Sequence, residues 1–148
     1  MVGIIRYEIQ RSDNIRSMRF IFNFIDINGN IILDPSVGWM DIMREESCGY
    51  TQIYSNKKGT NYIDKKGNVL SPEWFPIGYD FCNGFAIVQK RLNGEYVENY
   101  LKTDGTLLSD QWFYSAKDFD KDGVADVIKT KRGKLCKIDS EGNIHEYV

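Results

Sequence analysis

The feature that most constrains the fold of this chain is a repeat with a period of about 38 residues. The segment 61–71, Asn-Tyr-Ile-Asp-Lys-Lys-Gly-Asn-Val-Leu-Ser, is similar to 23–33 and 99–109, and a more divergent copy lies at 136–144. The glycines that anchor the four copies are spaced by 38, 38 and 37 residues, at Gly29, Gly67, Gly105 and Gly142. A fixed period of this length is typical of stacked repeat proteins, in which each unit buries its apolar surface against its neighbours.

Two further glycine series recur at a similar spacing, of 35 and then 39 residues. The first series precedes segments rich in β-forming residues, at Gly49, Gly84 and Gly123. The second series comes ten residues later, at Gly59, Gly94 and Gly133. Asn93-Gly94 is a strong hairpin signal, because both central residues of a type I′ turn need a positive φ that Asn and Gly tolerate. The equivalent positions are predicted to turn as well.

Each unit is therefore predicted to be a three-stranded meander, such as 85–92, 95–102 and 106–109. Helical periodicity is missing from the sequence, so the predicted class is all-β. One repeat domain, 1–148, holds about four β-meander units joined by Trp-containing connectors, and the units span about 3–33, 49–71, 84–109 and 123–147. We expect an open β-repeat array, and the alternative is a small closed, propeller-like or barrel-like arrangement.

A tryptophan recurs in each connector, ten or eleven residues before the next strand-opening glycine, at Trp39, Trp74 and Trp112. A large apolar ring at a fixed phase is most simply a packing wedge between units, with an indole N–H that needs one partner. The alternative interpretation is an exposed aromatic residue that binds a ligand.

Bulk composition narrows the class of partner and the compartment. A net charge of −2 and a pI near 5.4 argue against nucleic-acid binding, which needs a concentrated basic surface. Three cysteines without a C-x-x-C pair predict reduced thiols. The sequence shows neither a secretory signal nor an apolar run that could span a membrane, so we expect a cytoplasmic protein. A processed or truncated secreted form is the alternative.

One loop has the character of a metal site. The segment 118–126 places carboxylates at positions 1, 3, 5 and 9 and a glycine at position 6, a pattern suited to a hard cation such as Ca²⁺. The carboxylates belong to Asp118, Asp120, Asp122 and Asp126. Position 12 is Lys129 and not the glutamate of an EF-hand, and the flanks are predicted to be β, so an EF-hand is excluded. Because one of the four units carries the pattern, an ion here would be structural. The alternative is an acidic turn produced by repeat drift, without an ion.

Catalysis has little support in the sequence. His145 is the only histidine and lies in the divergent last unit, so the cysteines have no histidine nearby in sequence to activate them. Phosphate-binding and dinucleotide-binding glycine motifs are also missing. We therefore predict no enzyme activity, no catalytic residues and no cofactor, with Ca²⁺ as the alternative.

The residues of the central units resemble a known family. Tyr-Ile-Asp-Lys-Lys-Gly-Asn-Val at 62–69, followed by Phe-Cys-Asn-Gly-Phe-Ala-Ile-Val at 81–88, is similar to the bacterial WG (KWG-type) β-hairpin repeat. The Trp-Gly pair that names the family is replaced here, for example by Thr60-Asn61. The resemblance implies an all-β array with a role in interaction, and it implies no catalytic residues.

The predicted function is accordingly a non-catalytic interaction module that binds a protein, a peptide or a small ligand. The alternative is a small-ligand or Ca²⁺-binding protein that uses the 118–126 loop. We expect neither nucleic acid nor a membrane as a partner, and open sheet edges would allow a homodimer.

Overall fold

The computed structural model describes residues 3–9, 19–25, 28, 30, 40–42, 48–55, 57–64 and 66–147. Within these ranges the chain forms twelve strands and no helix, and the strands group into four antiparallel sheets, none of which closes on itself. The predicted all-β class is confirmed. The described part of the chain accordingly holds no helix of the length and apolarity needed to cross a membrane.

The four sheets follow one another along the chain. The first sheet pairs β1 (Gly3–Ile9) with β2 (Arg19–Ile25), and the second contains β3 (Met40–Ile42), β4 (Thr51–Ser55) and β5 (Gly59–Ile63). The third contains β6 (Ile77–Cys82), β7 (Phe85–Leu92) and β8 (Glu95–Lys102). The fourth contains β9 (Ser115–Ala116), β10 (Val124–Ile128), β11 (Leu135–Asp139) and β12 (Ile144–Glu146).

The β7–β8 hairpin matches its prediction residue for residue. Asn93 and Gly94 have φ angles of 51° and 82°, and the flanking Leu92 and Glu95 are directly paired. Two successive positive φ angles are what a two-residue type I′ turn requires. The hairpin therefore has a fixed register, and this register decides which side chains share a face.

The third strand of the second and third meanders differs from the prediction, whereas β12 supplies that strand in the fourth. Instead of a strand over 106–109, the structure has a single bridge between Leu101 and Leu107, after which the chain bends away. The Asn99 side chain fixes this bend by donating to the Ser109 carbonyl at 2.7 Å, and Asn61 does the same to the Ser71 carbonyl at 2.8 Å. The third strand of the third sheet comes instead from the preceding connector, as β6.

The two connectors that the structure describes in full, after the second and third sheets, each take part in two sheets. Phe113 forms a bridge with Glu98 at the outer edge of β8, and two residues later the chain pairs with β10 as β9. Phe75 likewise forms a bridge with Thr60 of β5 before the chain continues into β6. A connector therefore closes one sheet and opens the next.

The third sheet packs against a neighbour on both faces. Toward the second sheet it contributes Ala86, Val88 and Leu101 to a buried cluster that also contains Tyr62, Phe75 and Phe81. Toward the fourth sheet it contributes Ile87 and Tyr100 to a second cluster, which contains Phe113, Ala116, Phe119, Ala125, Val127, Cys136 and Ile138. The second, third and fourth sheets thus form a stack whose core lies between successive sheets, as expected when a single meander cannot bury its own apolar face.

The 38-residue glycine series marks contacts between successive repeats. Gly105 has a φ of +84°, and a Cβ atom at this position would lie 2.3 Å from the Leu70 carbonyl oxygen of the preceding repeat. Gly142 is related in the same way to the Leu108 carbonyl oxygen, at 2.8 Å. Both separations are shorter than real Cβ contacts, so these positions need glycine for close packing as well as for their backbone angle.

Candidate functional site

A cleft of about 730 Å³ lies between the third and fourth sheets, and we call it the junction cleft. One wall is the second half of β6, the opposite wall is the end of β9 with the two residues that follow, and β7 and β8 each contribute one residue. The lining residues are Tyr79, Asp80, Phe81, Cys82, Ile87, Glu98, Ala116, Lys117 and Asp118.

The two walls are equivalent parts of successive repeats. Tyr79 and Lys117 are 38 residues apart, and each carbonyl accepts a hydrogen bond from a buried tyrosine of the preceding sheet. The Tyr62 hydroxyl donates to the Tyr79 carbonyl, and the Tyr100 hydroxyl donates to the Lys117 carbonyl, both at 2.5 Å. Burial raises the pKa of both phenols, so they remain protonated donors at neutral pH. The walls are therefore held at a fixed position relative to the sheet beneath them.

Two hydrogen bonds hold the Glu98 carboxylate in the cleft. Its Oε1 accepts a hydrogen bond from the Ala116 backbone N–H at 2.9 Å, and its Oε2 accepts one from Gln89 Nε2, also at 2.9 Å. The same Gln89 amide lies 3.3 Å from the Tyr79 hydroxyl. These contacts hold the carboxylate in one orientation, and each carboxylate oxygen retains a lone pair for a further donor.

The preceding junction, between the second and third sheets, has different residues at three equivalent positions. Gln52 occupies the position of Ile87 there, and its side chain donates to the Gly78 carbonyl at 2.6 Å. A Cβ atom at Gly78 would lie 2.5 Å from the Tyr62 hydroxyl oxygen, so the edge strand approaches the sheet as closely as glycine allows. Ala116 is the equivalent residue in the next repeat and carries a methyl group where Gly78 has none. Glu98 replaces Thr60 at this junction, and its carboxylate accepts a hydrogen bond from the Ala116 N–H.

The charges of the cleft are predominantly negative. Three carboxylates line it, from Asp80, Glu98 and Asp118, against the single ammonium group of Lys117. Tyr79 stands at the rim and is 39% exposed. Carboxylates beside an accessible aromatic ring favour a cationic ligand, since both attract positive charge.

A second hollow of about 440 Å³ continues from the junction cleft along the same face, and Glu98 lines both. Its other lining residues are Gln89, Glu95, Tyr96, Tyr114 and Ser115. Tyr96 and Tyr114 are 47% and 38% exposed, so tyrosine side chains are accessible along the whole length of the two hollows. The continuous shape suits an extended ligand better than a compact one.

The thiol in the cleft is not an activated nucleophile. Burial raises the pKa of Cys82, and the charges of Asp118 and Cys48 raise it further. A raised pKa lowers the fraction of reactive thiolate at neutral pH. His145 does not line the cleft and lies in the fourth sheet, where its Nε2 is 3.1 Å from Asp139 Oδ2.

The structure places the four carboxylates of the 118–126 loop in different roles. Asp120 forms a tight turn, because its Oδ1 accepts hydrogen bonds from the N–H groups of Asp122 and Val124 at 2.9 and 3.1 Å. The same pattern occurs at Asp64 and Asp139, which open tight turns of the second and fourth units. The extra residue before Gly123 thus converts a two-residue hairpin turn into a further Asp-x-x-Gly turn.

The other three carboxylates of the loop lie in different parts of the structure. Asp118 lines the junction cleft, Asp122 is exposed, and Asp126 lies on the far face of the fourth sheet, 3.1 Å from the Tyr147 hydroxyl. No group of three or more His, Cys, Asp or Glu side chains within the described ranges is arranged to hold a metal ion. The calcium site remains a prediction from the sequence, and an ion would require these side chains to move together.

The described tryptophans both make contacts between structural elements. Trp112 packs on the cluster between the second and third sheets, with its ring centroid 6.5 Å from that of Phe75 and with Lys90 Nζ 4.2 Å from the ring centroid. Trp74 is half-buried, and Lys58 Nζ lies 5.9 Å from its ring. These contacts favour the packing interpretation. Trp39 lies outside the described residues.

Sequence reasoning did not identify Glu98 or the junction cleft. A signal was present, because Gly78 becomes Ala116 and Thr60 becomes Glu98 at equivalent repeat positions. Differences between copies that occur together at one junction indicate where a repeat has been modified, but their proximity becomes evident only from the register of β6 and β8.

Comparisons with known proteins provide no family and no relative. No family model matches the chain, and neither a curated protein nor a solved structure shows significant similarity to it. The fold and the cleft therefore define the class only as an all-β protein of antiparallel sheets with a polar cleft between the third and fourth sheets.

Proposed function

We propose that this protein is a non-catalytic interaction module that binds an extended, positively charged segment of a partner protein in the junction cleft. The observation that carries the proposal is the cleft itself, at a junction where Ala116 and Glu98 replace the Gly78 and Thr60 of the closely packed junction before it.

The cleft has the properties that such a ligand needs. Glu98 is held in place by two donors and can accept another from a lysine or arginine side chain. Asp80 and Asp118 add negative charge, and the exposed ring of Tyr79 offers a surface for a cationic group. The adjoining hollow shares Glu98 with the cleft and lengthens the surface that contacts an extended peptide.

The test is an NMR titration of the whole protein with two synthetic octapeptides of matched length, one rich in lysine and arginine and one rich in glutamate and aspartate. We expect the basic peptide to shift the backbone amide signals of Tyr79, Glu98, Lys117 and Asp118, and the acidic peptide to leave them unchanged. Because the attraction is electrostatic, affinity falls as salt concentration rises.

Two variants and one control locate the site. Glu98→Gln and Asp118→Asn remove charge while retaining side-chain shape, and each is expected to weaken basic-peptide binding several-fold. Glu141→Gln removes an exposed carboxylate from a turn of the fourth sheet and leaves binding unchanged. Equal binding of the acidic peptide, or an unchanged affinity in Glu98→Gln, would overturn the proposal.

A further inference from the structure

The far face of the fourth sheet differs from the corresponding faces of the second and third sheets. In each of these sheets one cross-strand pair lies at the centre of the face that points along the stack: Gln52 with Tyr62, Ile87 with Tyr100, and Asp126 with Lys137. The first two pairs are buried under the next sheet. The third pair is ionic, with Lys137 Nζ 3.6 Å from Asp126 Oδ1.

Tyr147 covers this ion pair. Its hydroxyl donates to Asp126 Oδ1 at 3.1 Å, and Lys137 Nζ lies 5.4 Å from the centroid of its ring. His145 pairs directly with Lys137 across the strands and therefore shares this face. Its Nε2 lies 3.1 Å from Asp139 Oδ2, which adds a second polar contact there.

A third position on this face also lacks, in the fourth sheet, the side chain that contacts the next sheet in the third. Phe85 stacks on Phe119 of the next repeat, with ring centroids 4.1 Å apart. Val124 holds the matching position in the fourth sheet and has no aromatic ring to offer. The tyrosine hydroxyl that ties the second and third sheets to the next edge strand is likewise replaced by the Lys137 ammonium group.

We propose that the far face of the fourth sheet is a cap that ends the stack and prevents copies of the protein from associating through it. A further sheet packed here would have to bury the Asp126–Lys137 pair, and taking two charges out of water costs more than their attraction returns unless every other polar atom is satisfied. Polar outer faces on terminal repeats serve this purpose in stacked repeat proteins. The inference is independent of the junction cleft, which lies on the other side of the fourth sheet.

The test gives the fourth sheet the side chains that the third sheet has at the equivalent positions, Ile87 and Tyr100. The double variant is Asp126→Ile with Lys137→Tyr. We expect sedimentation equilibrium to show a mass that rises with concentration beyond that of the wild type, approaching twice the wild-type mass as two such faces meet. The matched control, Arg132→Ile with Lys134→Tyr, adds the same side chains in and beside an exposed turn and retains the wild-type mass.

Far-UV circular dichroism establishes that both variants are folded. If the first double variant does not fold, Asp126→Ala with Lys137→Ala removes the charges without adding bulk, and it is expected to associate more weakly but in the same direction. A wild-type mass at every concentration in a folded Asp126→Ile, Lys137→Tyr protein would overturn the proposal. So would equal association of the control.

Discussion

The Tyr100 hydroxyl donates a 2.5 Å hydrogen bond to the Lys117 carbonyl, and it thereby ties the third sheet to the first edge of the fourth. Tyr62 makes the same bond to the Tyr79 carbonyl one repeat earlier. In both cases the ring is fully buried, so the aromatic body contributes to the core while its hydroxyl fixes the position of the next sheet.

Replacing Tyr100 by phenylalanine should therefore loosen the junction. The substitution keeps the ring and removes one donor to a part-buried carbonyl, so we expect the free energy of unfolding to fall by about 1–2 kcal/mol in urea denaturation. Tyr96→Phe, which changes a 47% exposed residue on the same strand, is the control and should be close to neutral. Equal losses in the two variants would contradict a structural role for the Tyr100 hydroxyl.

The same two phenols predict a specific response to alkaline pH. Burial raises the pKa of Tyr62 and Tyr100 above the ordinary value of about 10, so their contribution to stability is complete below pH 10 and declines at higher pH. Near-ultraviolet absorbance should show two tyrosines that ionise only as the protein unfolds. The double variant Tyr62→Phe with Tyr100→Phe should lack this late component.

Gly105 and Gly94 provide a matched pair for the contact between repeats. Both have a φ above +80°, but a Cβ at Gly105 would meet the Leu70 carbonyl at 2.3 Å, whereas a Cβ at Gly94 meets nothing within 4 Å. Gly94→Ala should cost about 1 kcal/mol through backbone strain alone. Gly105→Ala should cost about 2 kcal/mol more, measured by chemical denaturation, because the two repeats must separate. Similar losses would contradict the close approach.

Asp139 predicts a loss of stability in acid. Its hydrogen bond with His145, followed by that from the Asn143 N–H, lowers the pKa of this carboxyl to about 2. A pKa below the unfolded value gives stability that is present above about pH 4 and lost as pH falls toward 2. The stability difference between wild type and Asp139→Asn should therefore shrink over that interval in urea titrations. Glu141→Gln, in the same turn, should follow the wild type throughout.

The role of Asp120 can be separated from calcium binding. Because its carboxylate accepts two backbone hydrogen bonds, we expect Asp120→Ala to lower the melting temperature by the same amount with and without Ca²⁺. Asp118→Asn, which leaves the turn intact, is the control. A rise in the wild-type melting temperature on adding Ca²⁺ that disappears in Asp118→Asn would instead support the ion site predicted from the sequence.

The sequence predicted those parts of the fold that local chemistry determines. Residues 85–92 and 95–102 are strands as expected, because the Asn93-Gly94 turn and the flanking β-formers act within a few residues. The strand expected over 106–109 is reduced to a bridge, because the Asn99 amide takes the Ser109 carbonyl and turns the chain. β6 was not predicted as a strand of the meander, since its pairing with β7 depends on the register of the whole sheet.

The candidate site was less accessible to prediction than the fold. Glu98 acts in the cleft only because the edge of the fourth sheet brings the Ala116 N–H to its carboxylate, a contact across 18 residues. Asp120 had the spacing of an ion ligand, yet the same spacing also defines the Asp-x-x-Gly turn seen at Asp64 and Asp139. The Asp120 carboxylate accepts hydrogen bonds from two backbone N–H groups of its own turn, and these bonds account for the spacing without an ion.

The sharing of each connector between two sheets bears on how such a chain can lengthen or shorten. Since 113–116 completes the third sheet and begins the fourth, removing one sheet by its own boundaries would strip an edge from its neighbour. A gain or loss of one whole period, with both breakpoints at equivalent repeat positions, leaves a shared connector between successive sheets. The segment that can be duplicated or deleted in this architecture is therefore the sequence repeat and not the sheet, because each such sheet contains strands from two successive repeats.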